Sequence, residues 1–269
     1  MKNTRKLVRD GYAEVAKGGQ GCCGGGSSCC GSPSTSQQVG YSADELAAIP
    51  GGADLGLGCG NPVAMASLKK GETVLDLGSG AGIDCFIAAK KIGPKGKVIG
   101  VDMTPEMLDR ARANAVEGGY RNVEFRLGEI EHLPVADRTV DIIISNCVIN
   151  LSDDKGQVFR EAFRVLKPGG RLMVSDIVLL GELPARVLKS AAAYVGCISG
   201  AALKEDYLAS VRRAGFNGIK VVSEDRFGLE WMSHDPTAQA IAKEFKLSPA
   251  ESRKLAGMVV SVKVAAVKP

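Results

Sequence analysis

The sequence predicts an α/β fold: a mostly parallel sheet with helices on both faces, plus a small C-terminal cap. Three observations carry this. From residue 70, short apolar runs alternate with segments of helical periodicity, the order expected of βαβ units. Val140–Ser145 is a near-continuous apolar run, as a strand buried on both faces should be. Asp76-Leu-Gly-Ser-Gly-Ala-Gly82 follows one apolar run and opens a helical segment, so its glycines carry a tight strand-to-helix turn.

The elements follow in order. Residues 4–17 form a short helix with Leu7, Val8, Tyr12 and Val15 roughly on one face. In Gly18–Gly31 half of the fourteen residues are glycine, which predicts a mobile loop, continued by Ser32–Gln38. Ser42 with Glu45 has capping-box spacing and starts a helix that Pro50-Gly-Gly ends. Residues 54–62 read as an irregular glycine-rich loop. Strands are expected at Thr73–Leu77, Lys97–Val101, Val123–Arg126, Val140–Ser145, Arg171–Asp176 and Ile219–Val222. Met258–Ala266 is either a closing strand of the cap or the last sheet strand. Helices are expected at Ile83–Ile92, Pro105–Glu117, Asp154–Leu166 (stopped by Lys167-Pro-Gly-Gly170), Pro184–Val195, Glu205–Arg213 and Ala240–Leu255. The resulting division is 1–69, an N-terminal helix, Gly/Cys-rich loop and substrate loop; 70–180, the cofactor-binding core; 181–222, covering helices and a strand; and 223–269, the cap.

Composition excludes several classes. A net charge of +4 with no block of five like charges argues against nucleic acid, and 5% aromatic content argues against stacking on single strands. Met1–Asp10 lacks an apolar signal region and no run of eighteen apolar residues occurs, so no membrane partner and a cytoplasmic location are expected. Thiols there stay reduced. Eight cysteines then point to metal, redox or catalytic chemistry, with some serving as small buried hydrophobes.

The turn indicates the cofactor. Gly78, Gly80 and Gly82 let the backbone approach a ligand closely. Asp76 lies within this motif, Asp102 ends the next strand where it could accept ribose hydroxyls, and Glu129 follows the third strand. A carboxylate in the first loop favours a cofactor with a positive pole and an amino acid moiety over a pyrophosphate, which prefers a carboxylate-free helix N-terminus. S-adenosylmethionine has those properties.

Over residues 70–180 these motifs resemble class I S-adenosylmethionine-dependent methyltransferases, which have a Rossmann-like, mostly parallel seven-stranded sheet. The resemblance implies that Asp102 meets the ribose and that Glu129 and Ile130 meet the adenine. Asp76, Gly78, Ser79, Gly80, Met103, Asn146 and Val148 complete the implied cofactor set.

Cys147 follows the fourth strand, at the carboxyl end of the sheet where ligands bind; its thiol could bind substrate, act as a nucleophile or pack. Glycines flank Cys59 and should leave its thiol accessible. Cys197 follows the fifth strand, in the stretch that covers a methyltransferase substrate pocket, while Cys85 on the first core helix packs. The strings Leu57-Gly-Cys-Gly-Asn-Pro62, Ser145-Asn-Cys-Val-Ile-Asn-Leu151 and Gly196-Cys-Ile-Ser-Gly-Ala201 are similar to those of arsenite methyltransferases. That resemblance implies that Cys59, Cys147 and Cys197 bind trivalent arsenic and that an N-terminal cysteine takes part in thiol exchange. Cys22, Cys23, Cys29 and Cys30 are the candidates for this relay; the family has fewer cysteines there, so which one acts stays open. The same four could instead form a zinc site, against the usual ligand spacing, or a dispensable metal-scavenging tail.

The chemistry fits the residues. Trivalent arsenic is soft, and soft centres select thiolates. Its lone pair can attack a methyl group without a general base, which matters because the two histidines, His132 and His234, have no evident triad partner. His132 reads as a surface or capping residue. The implied partners are arsenite or thiol-conjugated arsenite and a thioredoxin or small-thiol reductant. The rival readings are a methyltransferase for an organic acceptor such as a quinone or sterol, and a non-catalytic thiol-based metalloid-binding protein.

Overall fold

The computed structural model of the chain describes residues 4–18, 35–184, 187, 198, 200–226, 239 and 242–269. The expected helix at Pro184–Val195 lies almost wholly outside them. Helix α1 (Thr4–Ala16) packs against the later helix Pro105–Glu117. Short helices α2 (Thr35–Gln38), α3 (Ala43–Ala47) and α4 (Pro62–Met65) lead into the core. The alternating part then runs β1 (Thr73–Leu77), α5 (Ile83–Ile92), β2 (Lys97–Asp102), α6 (Pro105–Glu117), β3 (Val123–Leu127), β4 (Val140–Asn146), α7 (Lys155–Val165) and β5 (Leu166–Leu179). After it come α8 (Lys204–Arg213), β6 (Asn217–Arg226), α9 (Pro249–Ala256) and β7 (Val259–Val267).

The strands form one seven-stranded sheet in the order β3-β2-β1-β4-β5-β7-β6. The pairs among β1 to β5 are parallel, and β7 is antiparallel to both neighbours. Strand alternation explains the apolar runs. Leu75, Leu77, Ile99 and Ile143 enter one core with Phe159, Tyr207 and Phe216, whereas Val74, Val98, Ile142 and Ile144 enter the other with Phe86 and Ile92. The chain reverses direction across the sheet between β1 and β4, which opens a crevice at the carboxyl ends of the strands. Most of the predicted cofactor-site residues gather there.

Four local expectations are corrected. Thr35–Gln38 is a helical turn rather than a continuation of the loop. Residues 54–62 are irregular only to Asn61, whose side chain accepts the Ala64 N–H at 2.9 Å and starts α4. Lys167-Pro-Gly-Gly170 does not only stop α7. It bulges out between the pairs Val140↔Leu166 and Ile142↔Arg171, and its glycines pair with the backbone of Lys268 at 2.9 Å. The Ala240–Leu255 stretch is interrupted: Lys246 takes a left-handed φ of 49°, and Ser248 restarts a helix with its own capping box to Glu251. Of the two places open to Met258–Ala266, the sheet strand is the one that forms.

Candidate functional site

The glycine turn is bound to the strand beside it. The Gly78 and Ser79 N–H groups donate to the Val101 carbonyl at 2.8 and 3.0 Å. Asp102 accepts the Gly80 N–H at 2.9 Å and the Thr104 N–H at 2.8 Å, so its carboxylate joins the turn to the end of β2. Burial raises its pKa, and these backbone donors oppose the shift. A β-carbon at Gly78, where φ is +67°, would overlap Val148; at Gly80 it would meet nothing within 4 Å. The first glycine therefore seats Val148, and the second leaves bare space over the turn.

A cavity opens above this turn. Its lining includes Asp76, Gly78, Ser79, Gly80, Asp102 and Met103, with Ile130, Asn146, Cys147 and Val148. Those predicted residues are brought together. Glu129 is the exception: it is half-exposed, ion-paired with Arg5 at 2.8 Å, and its neighbours Gly128, Ile130 and Glu131 line the cavity instead. Arg5, Val8 and Tyr12 of α1 form part of the wall, so the predicted apolar face of that helix covers the site, although Leu7 is exposed. His132 is exposed in a turn after β3.

Among the described residues the lining carries Asp54, Asp76, Asp84, Asp102 and Glu131 against one cation, Arg5. Asp76 is fully buried and accepts the Cys85 thiol at 3.2 Å. Burial and then the nearby Asp84 charge push its pKa well up, with the Cys85 bond opposing. Burial raises Asp84 to about 6, against hydrogen bonds from Tyr41 and Asn146. An acidic cavity over a glycine turn fits a nucleoside carrying a cationic amino acid portion and repels a pyrophosphate.

Cys59 and Cys147, 88 residues apart in sequence, are joined as a disulfide with Cα atoms 5.8 Å apart; Cys147 lines the cavity, as does Gly58 beside Cys59. One expectation is corrected: Cys59 is not accessible, at 8% exposed, with Cys147 at 9%. The flanking glycines serve close approach instead. A β-carbon at Gly60 would overlap the Ser175 hydroxyl, and one at Gly58, where φ is +107°, would stand 2.8 Å from Asn146 Nδ2. Cys147 has a left-handed φ of +59°, an uncommon conformation for a residue with a β-carbon. Its N–H donates to the Ser175 carbonyl at 2.8 Å.

Cys197, Cys22, Cys23, Cys29, Cys30 and His234 lie outside the described residues. Ile198, next in sequence to Cys197, packs in the same buried cluster as Cys59, Cys147 and Leu151. Among the described residues no group of three or more His, Cys, Asp or Glu could hold a metal ion, and no helix is long and apolar enough to cross a membrane. Sequence reasoning missed the pair formed by Tyr41 and Asp84. The Tyr41 hydroxyl donates to Asp84 Oδ1 at 2.9 Å and accepts from Asn146 Nδ2 at 2.9 Å. Tyr41 precedes the predicted capping serine, and nothing local marks it as a site residue.

Comparison with known proteins matches the description "Methyltransferase domain" to residues 68–215. The arsenite methyltransferase of Halobacterium salinarum is 48% identical over 234 residues, covering 83% of this chain and 60% of that protein. The human arsenite methyltransferase is 39% identical over 159 residues, covering 56% of this chain and 42% of that protein. The crystal structure of an arsenic(III) S-adenosylmethionine methyltransferase from Chlamydomonas reinhardtii superposes with a TM-score of 0.63 at 31% identity, covering 88% of this chain and 74% of that one. The chain spans about half the length of the curated relatives it matches.

Proposed function

We propose, because this chain belongs to the arsenite methyltransferase family of S-adenosylmethionine-dependent enzymes, that it methylates trivalent arsenic held by its cysteines. The observation that carries this reading is the meeting of Cys59 with Cys147, which lines the acidic cavity. Cys197 is the proposed third ligand, supported by the packing of Ile198 in the same cluster. Arsenite or thiol-conjugated arsenite is the substrate.

The cofactor is S-adenosylmethionine, which supplies an electrophilic methyl group on a sulfonium. Asp76, Gly78, Ser79, Gly80, Asp102, Met103, Ile130 and Val148 hold it in this reading, with the carboxylates favouring its positive charge. Cys59, Cys147 and Cys197 hold arsenic with its lone pair free. When bound, the cofactor would supply its methyl group to that lone pair, with S-adenosylhomocysteine as the leaving group. The chain contributes positioning rather than a base.

The disulfide between Cys59 and Cys147 must accept two electrons before it offers two thiolates. Methylation also leaves arsenic formally oxidised by two electrons. Two of Cys22, Cys23, Cys29 and Cys30 return them by forming a disulfide, and thioredoxin or a small thiol restores the pair. A reducing cytoplasmic location fits this reading. Incubation of the purified chain with arsenite, labelled S-adenosylmethionine and a thiol is expected to yield labelled methylarsenicals on chromatography. Labelled cofactor consumed with no arsenic product, or no turnover at all, rejects the reading.

A further inference from the structure

We infer that Asn146 is a positioning residue that sets the geometry between the Cys59 and Cys147 thiols, rather than a group that binds the cofactor; this rests on the reading of the two cysteines as arsenic ligands. Its carboxamide is fully engaged within the protein. Oδ1 accepts the Cys59 N–H at 3.0 Å. Nδ2 donates to the Gly60 carbonyl at 2.7 Å and to the Tyr41 hydroxyl at 2.9 Å, with Asp84 Oδ2 at 3.4 Å. One side chain thus grips the backbone on both sides of the Cys59 carbonyl carbon and its following peptide. In sequence, the same residue is the covalent neighbour of Cys147.

The Cys59 loop has no strand pairing of its own. Its other polar ties to the sheet at this residue are the Ser261 hydroxyl, which donates to the Cys59 carbonyl at 2.9 Å, and the Ser175 hydroxyl, 3.9 Å from the Cys59 sulfur. A carboxamide is suited to the remaining task because it presents an acceptor and a donor side by side. Both partners demand that order: Cys59 N–H needs the acceptor, and the Gly60 carbonyl needs the donor. The Tyr41 hydroxyl, held by Asp84, receives the second Nδ2 proton and so fixes the flip of the amide. Gly58 permits the approach, since a β-carbon there would press on the carboxamide. Groups held at a working distance in this way raise the effective concentration of one thiol beside the other.

The test uses the full chain, equilibrated with reduced and oxidised glutathione. Two reduced glutathiones convert the Cys59–Cys147 disulfide into two thiols and release one oxidised glutathione, and peptide mass spectrometry reads that pair specifically. Asn146→Ala is expected to lower the equilibrium constant for closing the disulfide by about tenfold, since two hydrogen bonds to the loop are lost. Arsenite affinity of the reduced chain is expected to fall with it. A variant that loses only general stability would show a lower thermal midpoint with the same constant, and that result overturns the proposal. If Asn146→Ala fails to fold, Tyr41→Phe replaces it, with an expected fall of about threefold in the same constant; no change there overturns the proposal. Should the unaltered chain take up no arsenite at all, the arsenic reading fails, while the disulfide constant still decides the role of Asn146.

Discussion

Gly60 lies so close to Ser175 that a β-carbon at position 60 would overlap the buried Ser175 hydroxyl. The Cys59 loop can rest on β5 only because that side chain is missing. Gly60→Ala is therefore expected to cost about 1–3 kcal/mol of stability, the usual range for overfilling a packed site. Urea denaturation under reducing conditions measures it. Adding Ser175→Ala removes the overlapping oxygen and is expected to restore part of the loss, whereas additive losses would place the cost elsewhere.

Cys85 is completely buried, and its thiol donates to the Asp76 carboxylate. Burial and then the Asp76 charge push its pKa well up, so almost no thiolate forms. In the native reduced chain, iodoacetamide at pH 8 is expected to leave Cys85 unmodified while it reacts in the urea-unfolded chain. Peptide mass spectrometry reads both states. Fast alkylation of Cys85 in the native chain would contradict the burial and its hydrogen bond.

Asp176 stands at the end of the parallel part of the sheet's fifth strand, with no solvent exposure. Burial raises its pKa to about 7, against hydrogen bonds from Tyr207 and the Ile177 N–H. The unfolded carboxyl titrates near the ordinary value of about 3.9. Between those values the folded state holds a proton that the unfolded state has lost. Stability from this group is thus present below pH 4 and lost as pH rises towards 7. Asp84, raised to about 6, acts in the same direction. Stability in urea is expected to fall from pH 5 to pH 8, and Asp176→Asn is expected to flatten that slope. An unchanged slope would show that Asp176 does not carry the proton.

The strands and most helices were legible because their signals are local. The apolar runs of β1 and β4 record burial on two faces, and Ser42 with Glu45 sets a cap within one turn. The cofactor turn was legible for the same reason: its glycines, Asp76 and Asp102 sit at fixed offsets along a single βαβ unit. The surroundings of Cys59 were not. Gly58 and Gly60 look like freedom in sequence, yet they serve contacts with Asn146 and Ser175, and the hydrogen-bond partners of Cys59 itself lie 87, 116 and 202 residues away. Lys167-Pro-Gly-Gly170 reads equally as a helix stop and as a bulge, and only pairing with Lys268 decides between them. Glu129 was placed in the site by its offset from β3, but Arg5 draws its side chain to the rim.

Cys147 combines a proposed ligand with a backbone conformation that a β-carbon disfavours, φ +59°. Function and stability should therefore separate at this position. Under reducing conditions, Cys147→Gly is expected to be more stable than Cys147→Ala by about 1 kcal/mol, because glycine adopts this conformation without strain. Both variants, and Cys147→Ser, are expected to lose arsenite binding by at least about a hundredfold, since oxygen and carbon do not replace a thiolate toward a soft centre. Cofactor affinity in Cys147→Ser is expected to stay within about threefold, because the glycine turn and Asp102 that hold the cofactor in our reading are bound to β2 and not to Cys147. Arsenite titration and calorimetry with S-adenosylmethionine measure the two affinities on the same preparation. Unchanged arsenite affinity in Cys147→Ser would remove this residue from the ligand set, and equal stabilities of the glycine and alanine variants would show that the conformation carries no strain.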